Sequence, residues 1–447
     1  MIMRRTEVKR GEALHDDAFA RSGGVDVEVL TVASRIVDDV RRRGDEALRD
    51  YTMQFDHADV PALRVTTAEI EAAVASVSEE FRDAIAVAAG SIEEYHERQV
   101  PQSWFSVREG GVLVGQKITP IRRVGIYVPG GRACYPSSVL MNAIPAVVAG
   151  VDEIAMVVPP DADGTVNAFT LAAAAEAGVS EIYKVGGAQA IAALAYGTAS
   201  IPRVDKITGP GNAYVTAAKR LVVGEVGIDM LAGPSEVCVV ADETAEPAFV
   251  AIDLMAQAEH DPNTQTFLVT CDPTLPDEVE EALTVLLAEA PRADVIRRSL
   301  TDNGLVVVVH DESAAIDIAN EIAPEHLEIM MAEPFELLGQ VRNAGAIFLG
   351  PWTPESVGDY VAGPNHVLPT GGTARFSSPL SVEDFVKRSS VISYSRAALE
   401  ADAATVICLA TAEGLDAHAD AVTLRLELAA EADAEADAES DTETGEA

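Results

Sequence analysis

A chain of 447 residues with 48% apolar content is too long for one ordinary core and apolar enough to fold into two or three domains. Its net charge of −40 excludes nucleic acid and anionic membrane surfaces as partners. Acidity runs along the whole chain, lysine is scarce and the acidic tail supplies only part of the excess, a composition that points to a salt-rich cytoplasm where screening removes self-repulsion.

The chain opens on MIMRRTEVKRGEALHDD, which has no apolar core and so does not read as a secretory signal. No later run approaches the ~18–20 apolar residues of a membrane helix, and a cytoplasmic location is the default expectation. The N-terminal hundred residues are mostly helical, as in AEIEAAVASVSEEFRDAIAVAAGSIEEYHERQ. From about Arg123 the chain alternates: RRVGIYVP, DEIAMVVPP, EIYKVGG and VDKITGPG are strand-like, and each is followed by a helical stretch. After a turn at LAGPS the alternation resumes with EVCVVAD, TQTFLVT, GLVVVVH and AGAIFLG. The expectation is α/β, with two Rossmann-like parallel-sheet domains, a seam near Ser235, and the N-terminal helices packed on the second unit. Beyond Gly371 the chain turns polar and turn-rich, then helical. Residues 429–447 are low-complexity and acidic, and read as disordered.

The chemistry concentrates in a few places. Three βα junctions are glycine-rich, VPGGRA, VGGAQA and TGPGNA. Each alone is more simply a tight turn, but three in one sheet favour a nucleotide crevice at the strands' carboxyl ends, with phosphate on helix N-termini. Gln257 and His260 lie three apart at the end of the helix PAFVAIDLMAQAEH, and so on one helical face. Candidate metal ligands are Gln257, His260, Asp359, His366 and His418, with Glu325 and His326 of similar type. On spacing alone, a capping role for His260 at the helix C-terminus outweighs the metal reading. APEHLE places Glu325 and His326 at the start of a strand, where one can activate water and the other abstract a proton; a surface acid and an ordinary loop histidine fit the same residues. GDYVAGPNHVLPTGG, carrying Asp359 and His366, is a long glycine-rich loop of the kind that holds function. His15, His57, His96 and His310 show no partner pattern and read as structural or surface residues. Cys134, Cys238, Cys271 and Cys408 form no C-x-x-C, which argues against thiolate zinc and a disulfide framework.

The segment IDMLAGPSEVCVVADETAEPAFVAIDLMAQAEH, Ile228 to His260, closely resembles the signature of histidinol dehydrogenases. So do GIYVPGGRACYPSSVLMNAIPA, VGGAQAIAALAYGT, KITGPGNAYV, APEHLE and GDYVAGPNHVLPT, in the same order, and the resemblance runs to about Leu428. It implies oxidation of L-histidinol to L-histidine, the last step of histidine biosynthesis, in two NAD-dependent hydride transfers through histidinal. It implies zinc held by Gln257, His260, Asp359 and His418, with His326 as base and Glu325 activating water. Ser235, His366 and Glu413 match substrate-contacting positions beside those ligands and His326, and Tyr127, Gln189 and Asn212 match NAD-contacting ones. The family is a homodimer whose C-terminal segment completes the partner's site, so Glu413 and His418 would serve the neighbouring subunit. The implied division is 1–27 as an N-terminal segment, 28–125 plus 236–376 as the substrate and zinc domain, 126–235 as the NAD domain, 377–428 as the intersubunit segment and 429–447 as the tail. One departure is Asp261, where glycine is common in the family.

Three other readings compete. A zinc hydrolase using Glu325 leaves the glycine-rich junctions unexplained. A scaffold that lost its chemistry leaves the intact set Gln257, His260, Glu325, His326, Asp359 and His418 unexplained. Cys134 invites a thiohemiacetal mechanism but has no neighbouring base in sequence.

Overall fold

Runs such as EVCVVA and QTFLVT have no polar alternation, and each forms a strand buried along its whole length, as in a sheet covered on both faces. The computed structural model describes residues 2–12, 14, 26–130 and 134–444. His15 and residues 131–133 of VPGGRA lie outside these. The chain enters through β1 (Arg4–Glu7) and four helices, α1 (Val27–Arg43), α2 (Asp45–Asp56), α3 (Thr67–Ser76) and α4 (Glu79–Glu97), followed by β2 (Trp104–Arg108) and β3 (Val112–Pro120). It then alternates through β4 (Arg123–Tyr127), α5 (Pro136–Val148), β5 (Glu153–Val158), α6 (Ala168–Glu176), β6 (Glu181–Lys184), α7 (Gly187–Tyr196), β7 (Lys206–Thr208), α8 (Ala213–Val222) and β8 (Gly227–Ile228). A second alternation follows in β9 (Glu236–Ala241), α9 (Pro247–Ala258), β10 (Gln265–Thr270), α10 (Leu275–Leu287), α11 (Ala293–Asn303), β11 (Gly304–Val308), α12 (Glu312–Ile322), β12 (His326–Met330), α13 (Pro334–Leu337), β13 (Ala346–Leu349) and α14 (Glu355–Tyr360). Last come β14 (Val386–Tyr394), α15 (Arg396–Ala412) and α16 (Asp416–Thr444).

The chain divides into two compact units. The larger takes everything up to Val100 together with Pro120–Val386, and holds two parallel sheets. One has the order β6-β5-β4-β7-β8, the other β1-β11-β10-β9-β12-β13. In each, the first strand of the alternation is central and later strands lie to either side, the doubly wound Rossmann order. The fold class is therefore the α/β expected, with β1 as an added parallel edge to the six-stranded sheet.

The N-terminal helices correct an expectation. They pack not on the second alternation but on the helices of the first: α1 against α7 and α8, α3 against α6, and α4 against α5. The reason is compositional. In α7 every residue from Ala188 to Ala195 is buried, and a helix apolar all round needs cover on both sides. Ala33, Val37, Val40 and Leu48 supply it, sharing one core with Leu194 and Ala217.

The smaller unit, Pro101–Thr119 and the chain from Lys387, holds a sheet ordered β14-β3-β2 with β2 and β3 antiparallel, followed by α15 and α16. The polar stretch after Gly371 thus contains a strand. Helix α16 runs to Thr444, and residues 445–447 of the acidic tail lie outside the described residues. Alanine and glutamate are strong helix formers, and Arg396 on α15 donates to Asp433 on α16 (2.9 Å).

Candidate active site

Ala323 closes α12 in the left-handed conformation (φ 52°). That conformation costs a residue with a Cβ on the order of 1 kcal/mol. With Pro324 next, the chain turns sharply and delivers Glu325 and His326 to the amino end of β12. There His326 sits between Val237 of β9 and Ala346 of β13, 4% exposed. Its Nδ1 lies 3.0 Å from the Glu236 carbonyl oxygen. A carbonyl only accepts, so Nδ1 carries the proton and Nε2 keeps its lone pair. Among the described residues Nε2 has no hydrogen-bond partner, and it faces Asp359 Oδ1 at 3.8 Å and Glu355 Oε1 at 3.9 Å. Burial pushes the imidazole down to about 4 against the pull of Asp359. The ring is a neutral, poised acceptor.

Glu325 is anchored by the Glu236 backbone N–H, which donates to Oε2 at 2.8 Å. Burial holds its carboxyl well above the usual range; that N–H opposes the shift, and the Glu236 and Asp359 carboxylates add to it. Glu236 thus touches both catalytic candidates through its backbone. Ser235 immediately precedes it, half-buried.

The pairing of Gln257 and His260 on one helical face needs correction. Helix α9 ends at Ala258 and His260 lies past its cap, exposed, its N–H donating to the Gln257 carbonyl at 3.1 Å. Gln257 is fully buried and its amide lies 3.0 Å from His326 Nδ1, where the protonated ring nitrogen calls for the amide oxygen as acceptor. His260 nonetheless joins Glu355 and Asp359, both from α14, and one ligand atom from each lies within 4.8 Å of the others. An imidazole and two carboxylates suit a borderline divalent cation such as zinc.

Sequence reasoning missed Glu355. It is buried, its N–H donates to Glu328 Oε1 at 2.9 Å, and burial among carboxylates pushes it well above the usual range. One more acid in a chain with 72 carries no signal. His366 Nδ1 donates to the Asp359 carbonyl at 3.2 Å, and its Nε2 is 3.5 Å from Ser138 Oγ in the first turn of α5. Its loop is pinned by Asn365, which donates to the Met141 carbonyl at 2.6 Å and lies 3.4 Å from His96. His96, fully buried, is thus structural. His326, Asp359 and His366 line a cavity of about 770 Å³. Glu413 caps α15 and His418 lies in the first turn of α16; both belong to the smaller unit. Cys134 is an exposed free thiol.

Tyr127, Gln189 and Asn212 lie at the carboxyl side of the five-stranded sheet. The Tyr127 hydroxyl accepts from Gly187 N–H at 3.1 Å, and burial pushes the phenol up to about 12. Gln189, 1% exposed, has an Oε1 with no partner among the described residues. Asn212 caps α8, accepting from the N–H groups of Tyr214 and Val215. A Cβ on Gly209 would run into the Tyr127 carbonyl, and one on Gly186 would lie 2.6 Å from the Pro159 ring. Bare backbone beside helix N-termini, at the carboxyl ends of parallel strands, fits a dinucleotide's phosphates.

A profile of the histidinol dehydrogenase family matches residues 20–426. The chain is 54% identical over 404 residues to the histidinol dehydrogenase of Halalkalibacterium halodurans, covering 90% of this chain and 95% of that one. It is 53% identical over 413 residues to that of a Synechococcus species, covering 92% and 94%. The chain belongs to the histidinol dehydrogenase family. The crystal structure of histidinol dehydrogenase from Elizabethkingia anophelis superposes with a TM-score of 0.90 at 36% identity, covering 95% of this chain and 98% of that one. The span matching the histidinol dehydrogenase profile contains every site residue named above, Glu413 and His418 included, and stops short of the acidic tail.

Proposed function

We propose that this chain oxidises L-histidinol to L-histidine through histidinal, the last step of histidine biosynthesis, in two successive NAD-dependent hydride transfers. The observation that carries the mechanism is His326 itself: a buried neutral imidazole whose Nδ1–H is fixed on a backbone carbonyl and whose Nε2 lone pair faces the carboxylate cluster. His326 Nε2 accepts the alcohol's hydroxyl proton while the carbon gives up hydride. Glu325, whose burial raises its proton affinity, takes a proton from the water that adds to the aldehyde. The resulting hydrate loses its hydride in the second turn, again with a proton passing to the protein base. Gln257, His260 and Asp359, with His418, would hold zinc, which when bound supplies a Lewis-acid template for the substrate's imidazole and amine. NAD, when bound, supplies the hydride acceptor; Tyr127, Gln189 and Asn212 orient it. Ser235, His366 and Glu413 position the substrate, and His366 is itself held by the Asp359 carbonyl.

On this reading residues 126–235 bind the nucleotide, 28–125 plus 236–376 bind substrate and metal, and 377–428 join two subunits. The working form is a homodimer in which Glu413 and His418 complete the neighbour's site. It works in a cytoplasm rich in salt, as the net charge of −40 supports.

The test is His326→Asn in the metal-loaded protein. Loss of both oxidations by roughly 10²–10⁴-fold, with NAD and metal binding intact, is the expected result. An unchanged rate removes His326 as the base.

A further inference from the structure

The junction TGPG is gripped by a buried ion pair. Lys219, in the last turn of α8, and Asp229, just after β8, pair side chain to side chain at 2% and 1% exposure. Both also hold Gly209. The Gly209 N–H donates to Asp229 Oδ2 at 2.8 Å, and the Gly209 carbonyl accepts from Lys219 Nζ at 3.0 Å. The backbone on each side of this one Cα is therefore fixed, and its φ of 109° admits only glycine comfortably. Asp229 is itself tied to β7, its N–H donating to the Ile207 carbonyl at 3.2 Å.

Stability is a poor reason for this arrangement. Desolvating two charges costs several kcal/mol each, and an apolar pair of similar volume is often as stable. What the pair does provide is direction. Gly209 packs against the Tyr127 carbonyl, and the Tyr127 hydroxyl accepts from Gly187 N–H. Fixing Gly209 thus registers the end of β4 and the start of α7. Asn212, three residues on, caps the same helix that carries Lys219.

We propose that Lys219 and Asp229 are positioning residues for the nucleotide: by locking the Gly209 peptides they align the glycine-rich junctions that receive it, without touching it themselves. The inference rests on the reading of the five-stranded sheet as the NAD site. Removing the lock therefore weakens NAD binding and leaves the metal cluster alone.

The test uses full-length, metal-loaded protein and three variants, Lys219→Met, Asp229→Asn and the double Lys219→Met/Asp229→Leu. Calorimetry reads the NAD dissociation constant, elemental analysis the metal content, and steady-state kinetics the KM for NAD and kcat. The single variants leave a buried charge or dipole uncompensated and can fail to fold, so the double variant, which buries no charge, is decisive. The expected result is an NAD dissociation constant and KM raised on the order of tenfold, with metal content unchanged and kcat at saturating NAD near the parent value. A folded double variant with the parent's NAD affinity, whatever its thermal midpoint, overturns the inference and leaves the pair merely structural. Absence of NAD binding by the parent protein overturns the nucleotide reading, and this inference with it.

Discussion

Taking the His326 ring out of water penalises its charged form, so the group that faces Asp359 and Glu355 is a lone pair rather than a cation. Two rungs support it between α9 and β12. Gln257 meets His326; four residues earlier on the same helical face, Asp253 sits beside Glu328, two residues further along the same strand face. Burial pushes Asp253 up to about 6. Because its folded value lies above its ordinary one, the native state favours the protonated form, and the stability it lends at low pH is lost as pH rises from about 4 to about 6. Asp253→Asn stays neutral throughout. The variant should unfold later than the parent at pH 8, by on the order of 2 kcal/mol, and together with it near pH 4. Denaturant melts at the two pH values check this; a gap independent of pH would discard it. At this scale the sequence exposes Glu325, His326, Asp359 and His366, because each is one of the chain's eight histidines or stands in the same short motif as one. It hides Asp253, Glu328 and Glu355, because carboxylates are everywhere in the chain and only burial tells these apart.

Helix α14 is six residues long and brings Glu355 and Asp359 together with His260 in the candidate metal cluster. Its first N–H is satisfied from β12 by Glu328 Oε1 at 2.9 Å. Glu328→Ala leaves that buried donor unpaired, at a cost of about 1–3 kcal/mol. The same change should lower metal affinity by loosening the helix, while Glu328→Gln, which keeps an acceptor, retains most of both. Metal titration and thermal melts of the two variants test this, and equal metal affinity in both would contradict it. The parallel strands are readable from sequence because both faces are buried and the runs are continuously apolar. Strand β2 is not, since every residue of WFSVR is exposed in the single chain, and β14 has only two half-buried positions, Val386 and Val391, among exposed ones. The placement of α1–α4 eludes a sequence reading for another reason. Amphipathic helices announce that they pack, but the acceptor surface, the all-round apolar α7, becomes evident only when its own sheet is built.

A chain with 72 acidic and 32 basic residues repels itself in dilute buffer. Raising KCl from 0.1 to about 2 M shrinks the screening length from ~10 Å to a few Å, so the thermal midpoint should climb over that range; greatest stability at the low-salt end would refute salt adaptation. The dimer proposal has its own test, by mixing protomers. Neither His326→Asn nor His418→Ala should be active alone. A co-refolded mixture regains activity if His418 serves the neighbour, because half of the sites in the mixed dimer are then intact. No recovery in a verified heterodimer places His418 in its own subunit's site.

The four-electron oxidation is measured by counting NADH formed per L-histidinol consumed, with histidine assayed as product, before and after chelation and zinc readdition in high KCl. Two NADH per histidine, lost on chelation and restored by zinc, are expected. One NADH with aldehyde as the product, or no NADH from folded, zinc-loaded protein, would contradict it.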